Sequence, residues 1–167
     1  MRTLLSVVWL AVLLTVGADV AAQPNSPCSA PEHRQFDFWI GDWRATTPDG
    51  KHAGDNRIEK ILDGCALHEH WTGATGGRGF SYNAWDRDRK VWHQTWVDKQ
   101  GNLLLLEGAF TNGQMVLQGT QGKTLNRISW EPRKDGTVRQ LWETSSDQGK
   151  TWQTAFDGLY RKKEPAT

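Results

Sequence analysis

The stretch VWHQTWVDKQGNLLLLEGAF (91–110) consists of two runs of strand-forming residues joined by the polar segment DKQGN. Asp, Gly and Asn favour a tight reversal of the chain, and β-branched, aromatic and aliphatic residues favour strands on either side of it. The stretch therefore predicts an antiparallel hairpin. Similar turn segments recur along the chain at short intervals, at 47–51, 62–64, 86–90, 111–113, 134–136 and 145–149.

The repeated pattern predicts an all-β domain of about ten antiparallel strands. One short helix is expected before them at SAPEHRQF (29–36), with Ser29 as its N-cap. A closed up-and-down barrel leaves no unpaired sheet edge, and we therefore favour it over the alternative, a β-sandwich. The predicted strands span 38–46, 52–62, 65–73, 79–86, 91–98, 103–110, 114–120, 124–131, 137–144 and 150–162.

The N-terminus has the features of an export signal. The basic start Met1-Arg2 precedes an apolar run at 4–16, which is short for a membrane span, and small residues precede Gln23. We expect a signal peptide over 1–22, an N-terminal segment with the short helix over 23–36, and the barrel over 37–163. The mature chain would be soluble in the periplasm or secreted, without membrane insertion after cleavage.

The cysteine count and the charge narrow the possibilities further. Cys28 and Cys65 are the two cysteines, and in an oxidising compartment we expect them to form a disulfide, with two separate buried thiols as the alternative. The formal net charge is +1, with basic residues scattered among acidic ones. This pattern argues against nucleic acid and anionic membranes as partners. The sequence does not specify an oligomeric state.

Period-two alternation places tryptophans on the same strand faces as uncharged polar residues and two carboxylates. The opposite faces of three of these strands are polar enough to be solvated, whereas the strand at 80–85 is ambiguous because Phe80 and Tyr82 lie opposite. We therefore predict that the tryptophan faces point into the barrel. The predicted ligand-binding residues are Glu69, Trp71, Asn83, Trp85, Gln94, Trp96, Asp98, Gln140 and Trp142.

Two motifs resemble parts of known functional sites, but we assign neither of them a metal-binding or catalytic role. His68 and His70 lie on one strand face, as in some metal sites, but the downstream ligands of a cupin are missing, so we expect solvated histidines and no metal. SSDQGKTW (145–152) has the Asp-box pattern of sialidases, yet it occurs once and its composition is that of a turn. We interpret it as a hairpin. No cofactor is expected.

One further motif suggests a particular kind of barrel. Gly41-x-Trp43 opens the first strand and Arg161 ends the last, as in lipocalin-type barrels, where such an Arg lies over the indole. The chain resembles an exported bacterial family catalogued as domain of unknown function 1579, which has a calycin-like barrel and no agreed activity. The resemblance implies the fold and the compartment. It rests on RQFDFWIGDW (34–43), NRIEKILDGCALHEHW (56–71), WHQTWVDKQG (92–101), LEGAF and QMVLQG (106–119), RQLWETSSDQGKTW (139–152) and FDGLYR (156–161).

Three functions are compatible with these features. The first is binding of a small organic molecule in a cavity with tryptophan walls and polar groups. The second is a cofactor-independent isomerase, cyclase or hydrolase in which Glu69 and Asp98 act as general acid and base. The third is a structural or interaction domain whose polar core is filled and binds no ligand.

Overall fold

The computed structural model describes residues 27–164, and within them ten antiparallel strands close into a barrel. Each strand pairs with its sequence neighbours, and the first strand pairs with the last. The predicted all-β barrel is therefore confirmed. The strands are β1 Gly41–Thr46, β2 His52–Ile61, β3 Ala66–Gly73, β4 Arg78–Asp86, β5 Val91–Asp98, β6 Leu103–Thr111, β7 Gln114–Gln121, β8 Thr124–Pro132, β9 Val138–Ser145 and β10 Gln153–Lys162.

The tryptophan faces point into the barrel, as predicted. The ambiguous strand β4 settles the question, because Phe80 and Tyr82 are 50% and 54% exposed while Ser81 and Asn83 are fully buried. Successive side chains of a strand lie on opposite sides of the sheet, so this alternation fixes the orientation of the whole strand. Strand β4 thus places polar side chains inside the barrel and aromatic ones outside, an arrangement that needs internal hydrogen bonds.

One end of the barrel is closed by the segment that precedes β1. This segment forms the predicted short helix within 29–36 as a 3-10 turn at Pro31–Arg34, and a second 3-10 turn follows at Asp37–Trp39. Ser29 is not an N-cap, because Ala30 occupies the cap position and no side chain caps the turn. Residues three apart share a face of a 3-10 turn, so Phe36 and Trp39 can enter the barrel together.

Aromatic rings fill this closed end. Phe36 stacks on Trp39 with 5.0 Å between ring centroids, and it meets the edges of Trp92 and Trp130 at 5.7 and 5.2 Å. Trp43 Nε1 donates a hydrogen bond of 2.9 Å to the carbonyl of Trp39. These rings are part of the hydrophobic core of the barrel.

The cation over Trp43 is Lys162, not the predicted Arg161. Lys162 Nζ lies 5.4 Å from the centre of the indole. Trp43 pairs with Lys162 across β1 and β10, whereas Arg161 pairs with Arg44. Directly paired residues share a face of the sheet, so a difference of one position moves Arg161 to the outer surface.

The predicted disulfide is present. Cys28 and Cys65 are bonded, with their Cα atoms 5.0 Å apart. The bond joins the N-terminal segment to the turn between β2 and β3, and Arg34 donates hydrogen bonds to the carbonyls of Cys28 and Gly64 in the same place. The closing segment is therefore attached to the barrel covalently and by hydrogen bonds.

The segment 145–152 is a turn between β9 and β10, as predicted. The Asp147 carboxylate accepts hydrogen bonds from the backbone N–H of Thr151 at 2.9 Å and from Ser145 Oγ at 2.7 Å. These bonds, with that from the Thr151 hydroxyl, lower the pKa of Asp147 to about 2. Gly149 has a φ of +85°, and Trp152 donates to its carbonyl at 3.0 Å. The polar side-chain groups of Ser145, Asp147, Thr151 and Trp152 are thus used by the turn itself.

Within residues 27–164, no helix combines the length and the apolar character needed to cross a bilayer. The predicted signal peptide at 1–22 lies outside the described residues.

Candidate functional site

A cavity of about 250 Å³ lies inside the barrel, toward the end opposite the closing segment. The side chains around it fall into a polar group (Glu69, Gln94, Gln140 and Tyr160), an aromatic group (Trp71, Trp96, Trp142 and Phe156), and the smaller apolar residues Leu104, Ile128 and Ala155. The polar group is buried, whereas the aromatic group is half-buried and Ala155 is exposed. The cavity therefore has an aromatic mouth at the surface and a polar floor within.

The floor is built on a chain of hydrogen bonds that crosses four strands. Asn56 donates to Glu69 Oε1 at 2.8 Å, and Ser81 donates to Glu69 Oε2 at 2.6 Å. Asn83 donates to Ser81 Oγ at 2.9 Å, and Gln94 donates to Asn83 Oδ1 at 2.8 Å. Because the inward positions of β2, β3, β4 and β5 are in register, these short side chains can reach one another. The network gives these buried side chains hydrogen-bond partners, and Asn56 Oδ1 is the one of its atoms that is buried without a partner.

Glu69 is the carboxyl group of this floor and is only 4% exposed. Burial raises its pKa to about 7 from an ordinary value of 4.5, although the hydrogen bonds from Ser81 and Asn56 favour the charged form. No cation is among its hydrogen-bond partners in the described residues. Near neutral pH, Glu69 can therefore be present in both protonation states, as a donor or as an anionic acceptor.

Tyr160 and Gln140 form the other side of the floor. The Tyr160 hydroxyl donates a hydrogen bond to Gln140 Oε1, and burial raises the pKa of Tyr160 well above its ordinary value. The phenol is therefore a neutral donor or acceptor at any physiological pH. Gln140 keeps its amide N–H groups available on the cavity side of this pair, because only its oxygen is used by Tyr160.

The indoles of Trp71 and Trp96 at the cavity mouth pack against glycines of neighbouring strands. A Cβ atom added to Gly79 would come within 2.3 Å of the Trp96 indole, and one added to Gly54 would come within 2.6 Å of the Trp71 indole. The absence of a side chain at these two positions lets the indoles lie flat against the barrel wall. Each ring is thus held in place by its backbone support.

Six of the nine predicted site residues line the cavity: Glu69, Trp71, Gln94, Trp96, Gln140 and Trp142. Asn83 lies behind the floor, where it bonds to Ser81 and Gln94. Trp85 and Asp98 do not line the cavity. Each lies near one end of the barrel, Trp85 on β4 and Asp98 at the end of β5.

Trp85 and Asp98 have structural roles. Trp85 packs against Trp92 with centroids 6.3 Å apart, near the disulfide end. Asp98 caps the turn between β5 and β6, where its carboxylate accepts hydrogen bonds from the backbone N–H groups of Gln100 and Asn102 and from the Asn102 amide. These bonds lower the pKa of Asp98, with that of the Asn102 amide the largest cause. The predicted acid–base pair of Glu69 and Asp98 is therefore not formed.

Several site residues were not predicted. Phe156 and Tyr160 lie on the inward face of β10, and Asn56 lies on the inward face of β2. The sequence of β10 does indicate its inward face, because Phe156, Gly158 and Tyr160 alternate with Asp157 and Leu159. The role of Asn56 depends on its pairing with Trp71, beside Glu69, which the sequence of one strand does not reveal.

The floor offers hydrogen bonds and a single ionisable acid, and the mouth offers flat apolar surfaces. Such an arrangement suits a ligand with a planar part and a polar end. The cavity-lining residues include one carboxylate and no imidazole or thiol, so they do not form a metal-binding group. No family model matches the chain, and no curated protein is similar to it.

Proposed function

We propose that the protein binds a small organic molecule in this cavity, with a planar part between the mouth indoles and a polar end at Glu69. The observation that carries the proposal is the union of an aromatic mouth with a buried polar floor in one cavity. At about 250 Å³ the cavity is slightly smaller than typical ligand pockets, which favours a ligand below drug size.

The burial of Glu69 supports a ligand over a merely filled core. A carboxyl group whose pKa is raised by burial is less stable in its charged form than the same group in water. A ligand N–H or ammonium group at the floor would favour the charged form and so offset part of that cost. Binding of such a ligand would lower the pKa of Glu69 and release a proton near neutral pH.

A second candidate function is acid–base catalysis on the bound molecule. The observation that favours it is the pKa of about 7 for Glu69, because a general acid or base works best when its pKa is near the working pH. Glu69 would act alone, because Asp98 does not reach the cavity. Isomerisation or cyclisation would suit one residue that removes and returns a proton.

The test begins with native mass spectrometry of protein purified from the periplasm or the medium, which detects a molecule that travels with it. The identified compound is then titrated into the protein while tryptophan emission is followed. Trp96→Phe removes indole area at the mouth and should weaken binding by about 1 kcal/mol, roughly fivefold in Kd. Catalysis would appear as conversion of the compound by the wild type and its loss in Glu69→Gln.

Two variants serve as controls for this experiment. Trp152→Phe makes the same substitution in the turn between β9 and β10, and His93→Ala changes an outward side chain of β5. Neither should alter affinity. Equal weakening by Trp96→Phe and Trp152→Phe would contradict a cavity site, and so would a compound that binds without changing the emission of the mouth tryptophans.

Export to the periplasm or the medium and membership of the family named above belong to the same proposal. The disulfide supports an oxidising compartment, because such bonds rarely persist in the cytosol. Sequencing of the mature N-terminus tests it, and the expected first residue is Gln23. A mature protein that retains residues 1–22 would contradict signal cleavage.

A further inference from the structure

A second group of convergent side chains lies on the outer surface of the barrel, away from the cavity. It consists of Glu59 on β2 and His68 and His70 on β3, whose ligand atoms all lie within 4.8 Å of one another. His70 Nε2 is 3.4 Å and His68 Nδ1 is 3.9 Å from Glu59 Oε1. Two imidazoles of β3 and a carboxylate of the neighbouring strand β2 therefore bring their ligand atoms close together.

The contacts within this group differ from those of an ordinary hydrogen-bonded cluster. His70 Nε2 is buried and has no hydrogen-bond partner, although Glu59 Oε1 is near. In tetrahedral zinc sites with bonds of 2.0 to 2.2 Å, ligand atoms stand about 3.3 Å apart and point at the ion rather than at each other. The distance from His70 Nε2 to Glu59 Oε1 is close to this value, and the distance from His68 Nδ1 to the same oxygen exceeds it by about half an ångström.

Neighbouring side chains hold the three groups in place. The His68 ring stacks on Tyr82 with 4.6 Å between centroids, and His70 meets the edge of Phe80 at 5.1 Å. The two exposed aromatic residues of β4 thus act as supports for the imidazoles.

Arg57 is the charged group that opposes a cation here. It lies directly across from His70, and its guanidinium donates to Glu59 Oε2 at 2.7 Å. This bond orients the carboxylate so that Oε1 is left for the histidines, but the positive charge lowers the affinity for a cation. The guanidinium is exposed, and solvent screens much of that repulsion.

We propose that Glu59, His68 and His70 bind one Zn²⁺ ion on the outer surface of the barrel. Two imidazoles and one carboxylate are a ligand set that zinc accepts, and three protein ligands leave one coordination position for water. The site is separate from the cavity, since His68 and His70 alternate with Glu69 along β3 and so lie on the other side of the sheet.

The experiment is calorimetric titration of the untagged protein with ZnCl₂ at neutral pH, with a stoichiometry of one ion per chain as the expected result. Glu59→Gln, which keeps the shape of the side chain, should weaken Kd about tenfold or more, and His70→Gln should do the same. Arg57→Gln should strengthen binding because it removes the opposing charge. His93→Gln is the matched control, because His93 also lies on the outer surface beside a glutamate, Glu107, at 3.2 Å.

Imidazole NMR signals of the unmodified protein provide a measurement that needs no variant. Zinc should shift the ring signals of His68 and His70 and leave those of His93 in place. The proposal is overturned if Glu59→Gln binds zinc as tightly as the wild type, since the carboxylate would then not be a ligand. It is also overturned if the shifts at His93 equal those at His68 and His70, or if no heat of binding is seen.

Discussion

Replacing Glu69 with glutamine should remove a pH dependence from the stability of the barrel. The folded state raises the pKa of Glu69 from 4.5 to about 7 because the carboxyl group is buried. Below pH 4.5 the group is protonated in both the folded and the unfolded chain, and its ionisation costs nothing. Between these two values only the unfolded chain loses the proton, so each rise in pH favours unfolding. Above about pH 7 the cost is constant.

The size of the effect follows from the two pKa values. One pKa unit corresponds to about 1.36 kcal/mol, so the free energy of unfolding should fall by about 3 kcal/mol as the pH rises from about 4.5 to above 7. This is a large share of the stability of a typical domain. The amide of Glu69→Gln cannot ionise, and any hydrogen bond that it loses with Ser81 costs the same at every pH.

The assay is urea unfolding at several pH values between about 5 and 8, with the disulfide intact. His33 and His68 titrate in the same range with pKa values lowered by burial, and they make stability rise with pH. Both are retained in Glu69→Gln, so the difference between the two proteins isolates Glu69. Equal pH profiles for wild type and variant would refute the argument that burial disfavours the charged form of Glu69.

Asp157→Asn provides the control for that measurement. Asp157 pairs with Arg139 on the outer surface, and hydrogen bonds from that guanidinium lower its pKa below 3.8. Its contribution to stability is present above that pH and is lost only as the pH falls further. The variant should therefore be less stable than the wild type at all pH values from 5 to 8, with the wild-type slope.

The remaining predictions concern the disulfide, the turn and the mouth of the cavity. Reduction of the bond between Cys28 and Cys65, which are 37 residues apart, should lower the melting temperature, because the chain-entropy model gives it up to about 4 kcal/mol; an unchanged melting temperature with both thiols titratable would contradict this. Asp147→Ala should lower the urea midpoint and leave ligand affinity unchanged, and loss of affinity at full stability would make the turn a functional site. Gly79→Ala should displace the Trp96 indole, shift its emission and lower the free energy of unfolding by about 1–3 kcal/mol. A crystal structure of the variant with the indole in its original place would contradict this, because the backbone of the sheet would then have moved instead.

The local pattern of the sequence predicted the strands, the turns and the faces of the barrel. Turn residues marked the strand ends, and period-two alternation identified the inward faces of three of the four tryptophan-bearing strands. The pattern of β4 was ambiguous, and its orientation is decided by the exposure of Phe80 and Tyr82 in the structure. Alternation gives the face of a residue but not its height along the barrel. For this reason Asp98 and Trp85 were grouped with Trp96, although they lie toward opposite ends of the barrel.

Features that depend on pairing between strands could not be predicted from the pattern. The pairing of Glu59 with His68 brings a carboxylate to the two histidines, and nothing within β3 indicates it. For the same reason Arg161 was predicted to lie over Trp43, whereas Lys162, one position later, lies there. Register decides which side chains meet, and it is set by packing and turn geometry over the whole barrel.

Closure between β1 and β10 also constrains the order in which the chain can fold. Trp43 pairs with Lys162, and contacts so distant in sequence form slowly because a long loop must first be closed. The other strand pairs are hairpins between neighbours and can form as the chain emerges. Until the last strand arrives, β1 and β9 are open edges that can pair with other chains. A chain that ends before β10 should therefore associate with its copies, because the pairing of β10 with β1 and β9 is the step that removes both open edges.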